Sequence, residues 1–350
     1  MNINQLLELT IQRNASDLHL SVGFPPTIRV HGELMPVPGE GSITPEQIES
    51  LTSQILTKEQ QDVFTKNLEL DFSFEIENKA RFRANIYRQK GYLAVALRLI
   101  PFRIPELESL GFPRVCLKLT ALNQGFCLVT GPTGHGKSTT LAAFIQKINQ
   151  QRAAHIITIE DPIEYVYPPG RSIIDQREMY KDTKTWGGAL RSVLREDPDV
   201  VLIGEMRDLE TISSAMTIAE TGHLVFATLH TNSAAQSFDR IIDVFPQIQQ
   251  PQIRLQLAAT LESIFSLRLI PTIEPGRVLA CEVLFATPAV RNVIREGKSY
   301  LIDNIIETSA EYGMQSLEGS LANLVRAGKV SEEVALKYAL RPELLNKLLK

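Results

Sequence analysis

The residues best suited to do chemistry are Gly131-Pro132-Thr133-Gly134-His135-Gly136-Lys137-Ser138, followed by Thr139. They meet every fixed position of the pattern G-x-x-x-x-G-K-[ST]. Glycines at those places let successive backbone N–H groups turn inward on phosphate oxygens, and a helix starting behind them adds partial positive charge. Lys137 would reach the β- and γ-phosphates, and the Ser138 hydroxyl would sit on Mg²⁺. The pattern therefore predicts a site for a nucleoside triphosphate such as ATP with its Mg²⁺.

Further polar residues follow apolar runs. Glu160, Asp161 and Glu164 come after Ile156-Ile157-Thr158-Ile159; Gly204, Glu205, Arg207 and Asp208 come after Val200-Val201-Leu202-Ile203; His230 comes after Leu224 to Thr228, with His223 just ahead of that run. Removing a γ-phosphate needs charge neutralisation and a carboxylate or amide to orient the attacking water. Glu205 is the first candidate to position that water. Glu160 is the second, sharing the role or ordering Mg²⁺ through bound water. Gly204 stands where an acidic residue usually precedes such a glutamate, so Mg²⁺ must lean on Ser138 and on water-mediated carboxylates. His230 is placed to sense the γ-phosphate. One carboxylate at a strand end is ordinarily a helix cap, and a lone histidine is ordinarily structural; it is the convergence of the group that points to catalysis.

The elements that must hold these residues are legible from periodicity. Phe126 to Thr130 is a short apolar run of buried-strand type, and Thr139 to Ile145 continues as a helix. From Gly125 to about His230 strands and helices alternate, which predicts a parallel sheet with its ligand beyond the strands' carboxyl ends. Upstream, Asp17 to Val22 and Thr27 to Gly32 alternate like half-buried strands, and Thr44-Pro45-Glu46-Gln47 opens a helix expected over residues 42–64. A hairpin follows, with strands Leu70 to Ile76 and Arg81 to Arg88 around a turn at 77–79; it sets Arg81, Arg83, Asn85 and Tyr87 on one face. By itself that row reads equally as a solvated sheet face. Another strand, Tyr92 to Ile100, carries Arg98. Two prolines in Pro101 to Pro105 mark a linker. The expected domains are residues 1–100, a linker over 101–112, and a nucleotide-binding domain over 113–350 that reads mainly as helices from about 247.

Composition weighs against several classes without excluding them. Across 350 residues, 44% are hydrophobic and 22% charged, and 36 Lys and Arg against 40 Asp and Glu give a net charge of −4. That balance offers nothing to a nucleic-acid or membrane partner. No run approaches the ~18 apolar residues of a spanning helix, and the start has no signal-peptide core, so the expected location is cytoplasmic without membrane insertion. Cys116, Cys127 and Cys281 are far apart and form neither a disulfide framework nor a zinc motif.

Taken in order, the phosphate loop, Ile159-Glu160-Asp161-Pro162-Ile163-Glu164, Arg195 to Asp199 running on to Asp208, and Thr221-Gly222-His223 through Asn232 resemble four motifs of one family. These are the Walker A, Asp box, atypical Walker B and His box of the secretion ATPases that serve type II secretion and type IV pili. Ala15 to Leu20 is similar to that family's N-terminal signature, and Arg81 to Asn85 to the segment supplying its arginine fingers. The absence of a four-cysteine motif, the short chain, and Ala289-Val290-Arg291-Asn292-Val293-Ile294-Arg295-Glu296 resemble the retraction branch. His135 departs from the serine usual there.

The resemblance implies an α/β P-loop (RecA-like) core, a smaller N-terminal α+β domain of PAS-like type and a helical C-terminal region. It further implies a homohexameric, Mg²⁺-dependent ATPase that retracts type IV pili from the cytoplasmic side of the inner membrane. Its partner would be the membrane platform protein of the pilus machine. Extension or secretion ATPase, nucleic-acid translocase and non-hydrolysing scaffold are the competing readings.

Overall fold

The computed structural model describes residues 2–30, 32–76, 80–100 and 104–350. The chain divides into two compact units, Met1–Arg103 with Glu164–Val166, and Ile104–Ile163 with Tyr167–Lys350. The expected turn at 77–79 and the expected linker residues 101–103 lie outside the described residues. From Ile104 the chain belongs to the second unit, and Leu107 is buried in its core.

The first unit begins with α1 (Ile3–Gln12), an element the sequence analysis does not name, whose Ile3, Leu6, Leu7 and Thr10 form one buried stripe. Then come β1 (Asp17–Ser21), β2 (Thr27–Val30), β3 (Glu33–Pro36), α2 (Pro45–Ser53), α3 (Lys58–Asn67), β4 (Glu69–Ile76), β5 (Ala80–Gln89) and β6 (Tyr92–Ile100). The helix expected over 42–64 is thus two helices. Thr57 causes the break: its hydroxyl accepts from Gln60 N and the Gln60 side chain accepts from Thr57 N, a reciprocal cap that starts α3 afresh.

The strands form one antiparallel sheet in the order β3-β2-β1-β6-β5-β4. Along β5 the period-2 alternation holds, with Phe82, Ala84 and Ile86 in the core and Arg83 and Tyr87 exposed on the other face. Arg81 shares that second face but is only 9% exposed, and its Nη2 donates to Ser73 Oγ at 2.6 Å. Arg83 lies directly opposite Arg98 of β6. Two guanidinium groups facing across a ladder repel. Arg98 is drawn aside by an ion pair to Asp17 at 3.0 Å. Burial would raise the Asp17 carboxyl, but the Ser16 hydroxyl and Arg98 hold it below its ordinary value.

The second unit holds β7 (Gly125–Thr130), α4 (Lys137–Gln151), β8 (His155–Glu160), β9 (Ile173–Glu178), α5 (Trp186–Val193), β10 (Val200–Ile203), α6 (Leu209–Glu220), β11 (Leu224–Leu229), α7 (Ala234–Asp243) and α8 (Gln250–Thr260). It continues with β12 (Leu261–Pro271), β13 (Arg277–Phe285), α9 (Pro288–Glu296), α10 (Ile302–Thr308), α11 (Leu317–Arg326), α12 (Glu332–Tyr338) and α13 (Pro342–Leu349). Its sheet runs β13-β12-β7-β11-β10-β8-β9, parallel throughout except for the antiparallel edge strand β13.

Two strands therefore stand in the region expected to be helical from about residue 247. From Leu261 to Leu267 every residue but Glu262 is buried, and the run mixes polar and apolar residues without the alternation that separates strand from helix.

Successive residues of the parallel strands serve opposite cores. Phe126, Ile157, Val201 and Val225 pack under α5, α6 and α8; Cys127, Ile156, Leu202 and Phe226 pack against α4. Phe144 of α4 stacks on Phe226 and Phe265, each with ring centroids 5.6 Å away, which seats the helix behind the phosphate loop. Among the described residues no helix is long and apolar enough to cross a membrane.

Candidate active site

The carboxyl ends of β7, β8, β10 and β11 lie side by side, as the parallel registers require. Each ends in one of the residues singled out above. At the end of β7 the loop turns on Gly131, Gly134 and Gly136, with φ of 137°, 79° and 89°. At Gly131 a Cβ would lie 2.6 Å from the Leu267 carbonyl oxygen, so close approach to β12 as well as conformation demands glycine. Gly136 leads into α4, and among the described residues no side chain caps that helix start. Its first N–H groups face outward from the same place as the loop, which is the arrangement that receives phosphate. Ser138 and Thr139 occupy the first turn.

Lys137 is buried. Its Nζ donates to the Gly131 and Pro132 carbonyls at 2.9 and 3.1 Å and lies 3.5 Å from His230 Nδ1. An ammonium can only donate, so Nδ1 is the acceptor and the His230 proton is on Nε2, 3.0 Å from Glu205 Oε1. The other oxygen, Oε2, accepts from Arg207 Nη2 at 2.8 Å. Lys137, His230, Glu205 and Arg207 thus form one chain of contacts across three strand ends. Burial alone would raise the Glu205 carboxyl; the Arg207 hydrogen bond, the His230 ring beside it and the charges of Arg207 and Lys137 outweigh it and hold the group below its ordinary value. Glu205 is therefore anionic at neutral pH, and a carboxylate with two of about four lone-pair sites engaged can still accept from a water.

Glu160 ends β8, the strand beside β10. Its Oε1 accepts from Thr158 Oγ1 at 2.6 Å and Gln176 Nε2 at 3.1 Å, so it is oriented from its own strand and from β9. Gly204 has a steric reason. Its N–H donates to the Ile159 carbonyl, and a Cβ there would lie 3.2 Å from that oxygen and 3.3 Å from the Glu160 Cα. A side chain at this position would press on the end of β8, which would have to give by a few tenths of an ångström. The neighbouring Thr228 hydroxyl donates to the Gly204 carbonyl at 2.5 Å and fixes the strand end from β11.

His135 also finds its place. Its Nδ1 accepts from Leu269 N at 3.0 Å, pinning the tip of the phosphate loop to β12. Burial first, then the charges of Arg268, Lys137 and Arg277, hold His135 below the ordinary histidine value, which keeps that nitrogen free to accept. Arg268 Nη2 in turn donates to Asn232 Oδ1 at 2.8 Å in the segment after His230. Arg268 escaped the sequence reading because β12 was expected to be helix. His223, by contrast, lies at the opposite, amino-terminal edge of β11, where Nδ1 contacts the Ile218 carbonyl at the end of α6.

Among the described residues no group of three or more His, Cys, Asp or Glu could hold a metal by itself. One hydroxyl and two separated carboxylates fit an ion that arrives on its nucleotide, since Mg²⁺ keeps several waters and takes few protein ligands. Arg81 and Arg83 belong to the first unit and are described with it.

A phosphate loop after the inner strand β7, an oriented glutamate two strands away and a histidine between them define a P-loop nucleoside triphosphatase with a RecA-like core. The chain belongs to the type II/IV secretion system protein family, which it matches over residues 1–294. It is 46% identical to the type IV pilus retraction ATPase PilT of Pseudomonas aeruginosa over 343 residues, covering 98% of this chain and 99% of that protein. It is likewise 46% identical over 319 residues to a twitching motility protein of Neisseria gonorrhoeae, covering 91% and 85%. Among solved structures it is similar to the pilus retraction motor PilT with bound ADP, at a TM-score of 0.93 and 43% identity over 99% of both chains.

Proposed function

We propose that this chain hydrolyses ATP and uses the energy to retract type IV pili. The observation that carries the reading is the contact chain from Lys137 through His230 to Glu205, an anionic carboxylate tied to the phosphate-binding lysine. In this reading Lys137 leaves the loop carbonyls for the β- and γ-phosphates, and α4 donates its first N–H groups to them. Glu205 orients the attacking water, its two pairings with Arg207 and His230 fixing the carboxylate plane. His230 carries news of the γ-phosphate from Lys137 into the segment before α7. Ser138, with Glu160 and Glu205 through water, would hold Mg²⁺, which when bound neutralises the developing phosphate charge.

The working form is proposed to be a homohexamer docked on the membrane platform protein of the pilus machine from the cytoplasmic side. An arginine supplied by a neighbouring subunit then stabilises the transition state. Arg83 suits that role better than Arg81. It is exposed and its cross-strand neighbour Arg98 is engaged by Asp17, whereas the Arg81 guanidinium is buried against Ser73. In an assembled ring, Arg83→Ala is expected to cost at least about a hundredfold in turnover; full turnover would reject the assignment.

Direction is tested by counting surface pili in cells whose only copy carries Glu205→Gln. More pili with lost twitching supports retraction, and bald cells would mean extension.

A further inference from the structure

In the sheet of the second unit, Thr130, Ser266 and Glu282 occupy one row. Ser266 of β12 is the register partner of Thr130 of β7, and Glu282 of β13 is the register partner of Ser266. The row is buried, with Glu282 only 3% exposed, and it runs through strands whose other residues are mostly apolar. Its hydrogen bonds all point one way. Thr130 Oγ1 donates to Ser266 Oγ at 3.1 Å, and Ser266 Oγ donates to Glu282 Oε1 at 3.4 Å. The same Oε1 accepts the Ala234 N–H at 2.7 Å, the first N–H of α7.

The two ends of this chain of bonds are the ends that matter. Thr130 immediately precedes the phosphate loop, and Ala234 follows His230 by four residues. A buried carboxylate is costly, so one retained here should hold something in place. We propose that Glu282 is a positioning residue for ATP hydrolysis: its carboxylate ties the base of the phosphate loop to the start of α7 and so sets the spacing between Lys137 and His230. This rests on the ATPase reading above and goes beyond it.

The groups acting on Glu282 come from several elements. Burial pushes its carboxyl up to about 7, the Ala234 N–H opposes that, and the charges of Asp303 on α10, Glu318 on α11 and Arg341 ahead of α13 modulate it. Arg341 is itself shared among Glu318, Asp303 and Glu307 at 3.0, 3.3 and 2.7 Å. Near neutral pH the tie therefore exists in two protonation states, and the anion is the better acceptor for its two donors.

The test is steady-state ATP turnover by the full chain between about pH 6 and about pH 8. Glu282→Met keeps the volume and removes both bonds; kcat is expected to fall at least about tenfold with KM within about twofold. Glu282→Gln keeps an acceptor oxygen but cannot ionise. It should restore most of kcat and abolish the wild-type limb near pH 7, a pattern that a purely structural role would not produce. A Met variant within about twofold of wild-type kcat, or a Gln variant that keeps the limb, overturns the proposal. If circular dichroism shows the Met variant unfolded, Ser266→Ala decides, because it deletes only the middle link; a loss of about threefold or more in kcat supports the tie and an unchanged kcat refutes it. A wild-type chain without turnover would instead remove the ATPase reading, and this proposal with it.

Discussion

The starts of α4, α6 and α7 all lie at the carboxyl edge of one sheet, yet they are finished differently. At α6 Asp208 caps the helix with a reciprocal partner in Thr211. At α7 the Ser233 side chain accepts from Gln236 N and the Glu282 carboxylate takes the Ala234 N–H. At α4 the preceding residue is Gly136, and among the described residues no side chain fills the role. A helix start left without a cap usually costs stability. At α4, in the function proposed above, the helix start instead receives the substrate's phosphates. The difference separates helix starts that serve the fold from the one proposed to serve the ligand.

The sharpest way to break this comparison is at α4. Lys137→Ala should weaken ATP binding by at least about a hundredfold, read by a fluorescent nucleotide, with little change in thermal midpoint. If it left affinity intact, the uncapped start would not be the phosphate site. At α7 the expected effect is on pH dependence. With the folded Glu282 carboxyl near 7 and the unfolded one near 4.5, the native chain keeps a proton that the unfolded chain releases. Stability should therefore fall as pH rises through that window and level off above it. Urea midpoints across the window check this, and Glu282→Gln should flatten the slope.

Gly204→Ala, which presses a methyl on the Ile159 carbonyl between these helices, should cost about 1–3 kcal/mol in urea unfolding. The smallest effect belongs to α6. Asp208→Ala should lower stability by about 1 kcal/mol while nucleotide affinity stays within about twofold. A large loss of binding there would erase the distinction.

The same contrast explains what was legible in the sequence. The proposed phosphate site is written in consecutive residues, so Gly131 to Ser138 suggest it without help from the fold. Glu205 and His230 could be singled out as candidates because a parallel sheet delivers its strand ends to one edge. The Thr57 break between α2 and α3 carried a signal that went unused, the Thr57-Lys58-Glu59-Gln60 cap. Strands β12 and β13 were hidden because a doubly buried strand has no alternation, and with them went Arg268 and Glu282. Glu282 did leave a trace, a single carboxylate inside Val278 to Phe285. Its partners, Ser266 and Ala234, lie 16 and 48 residues away and only the folded sheet pairs them.

Gly204 also bears on how this sequence can change over time. An aspartate there is chemically attractive, since it would supply the acid that Mg²⁺ sites of related design often use. The backbone at the end of β8 would have to give by a few tenths of an ångström to admit a side chain there, so that step carries a steric cost. Lineages built on this strand spacing should keep glycine while their loops diverge, a constraint on descent imposed by about one methyl group's worth of space.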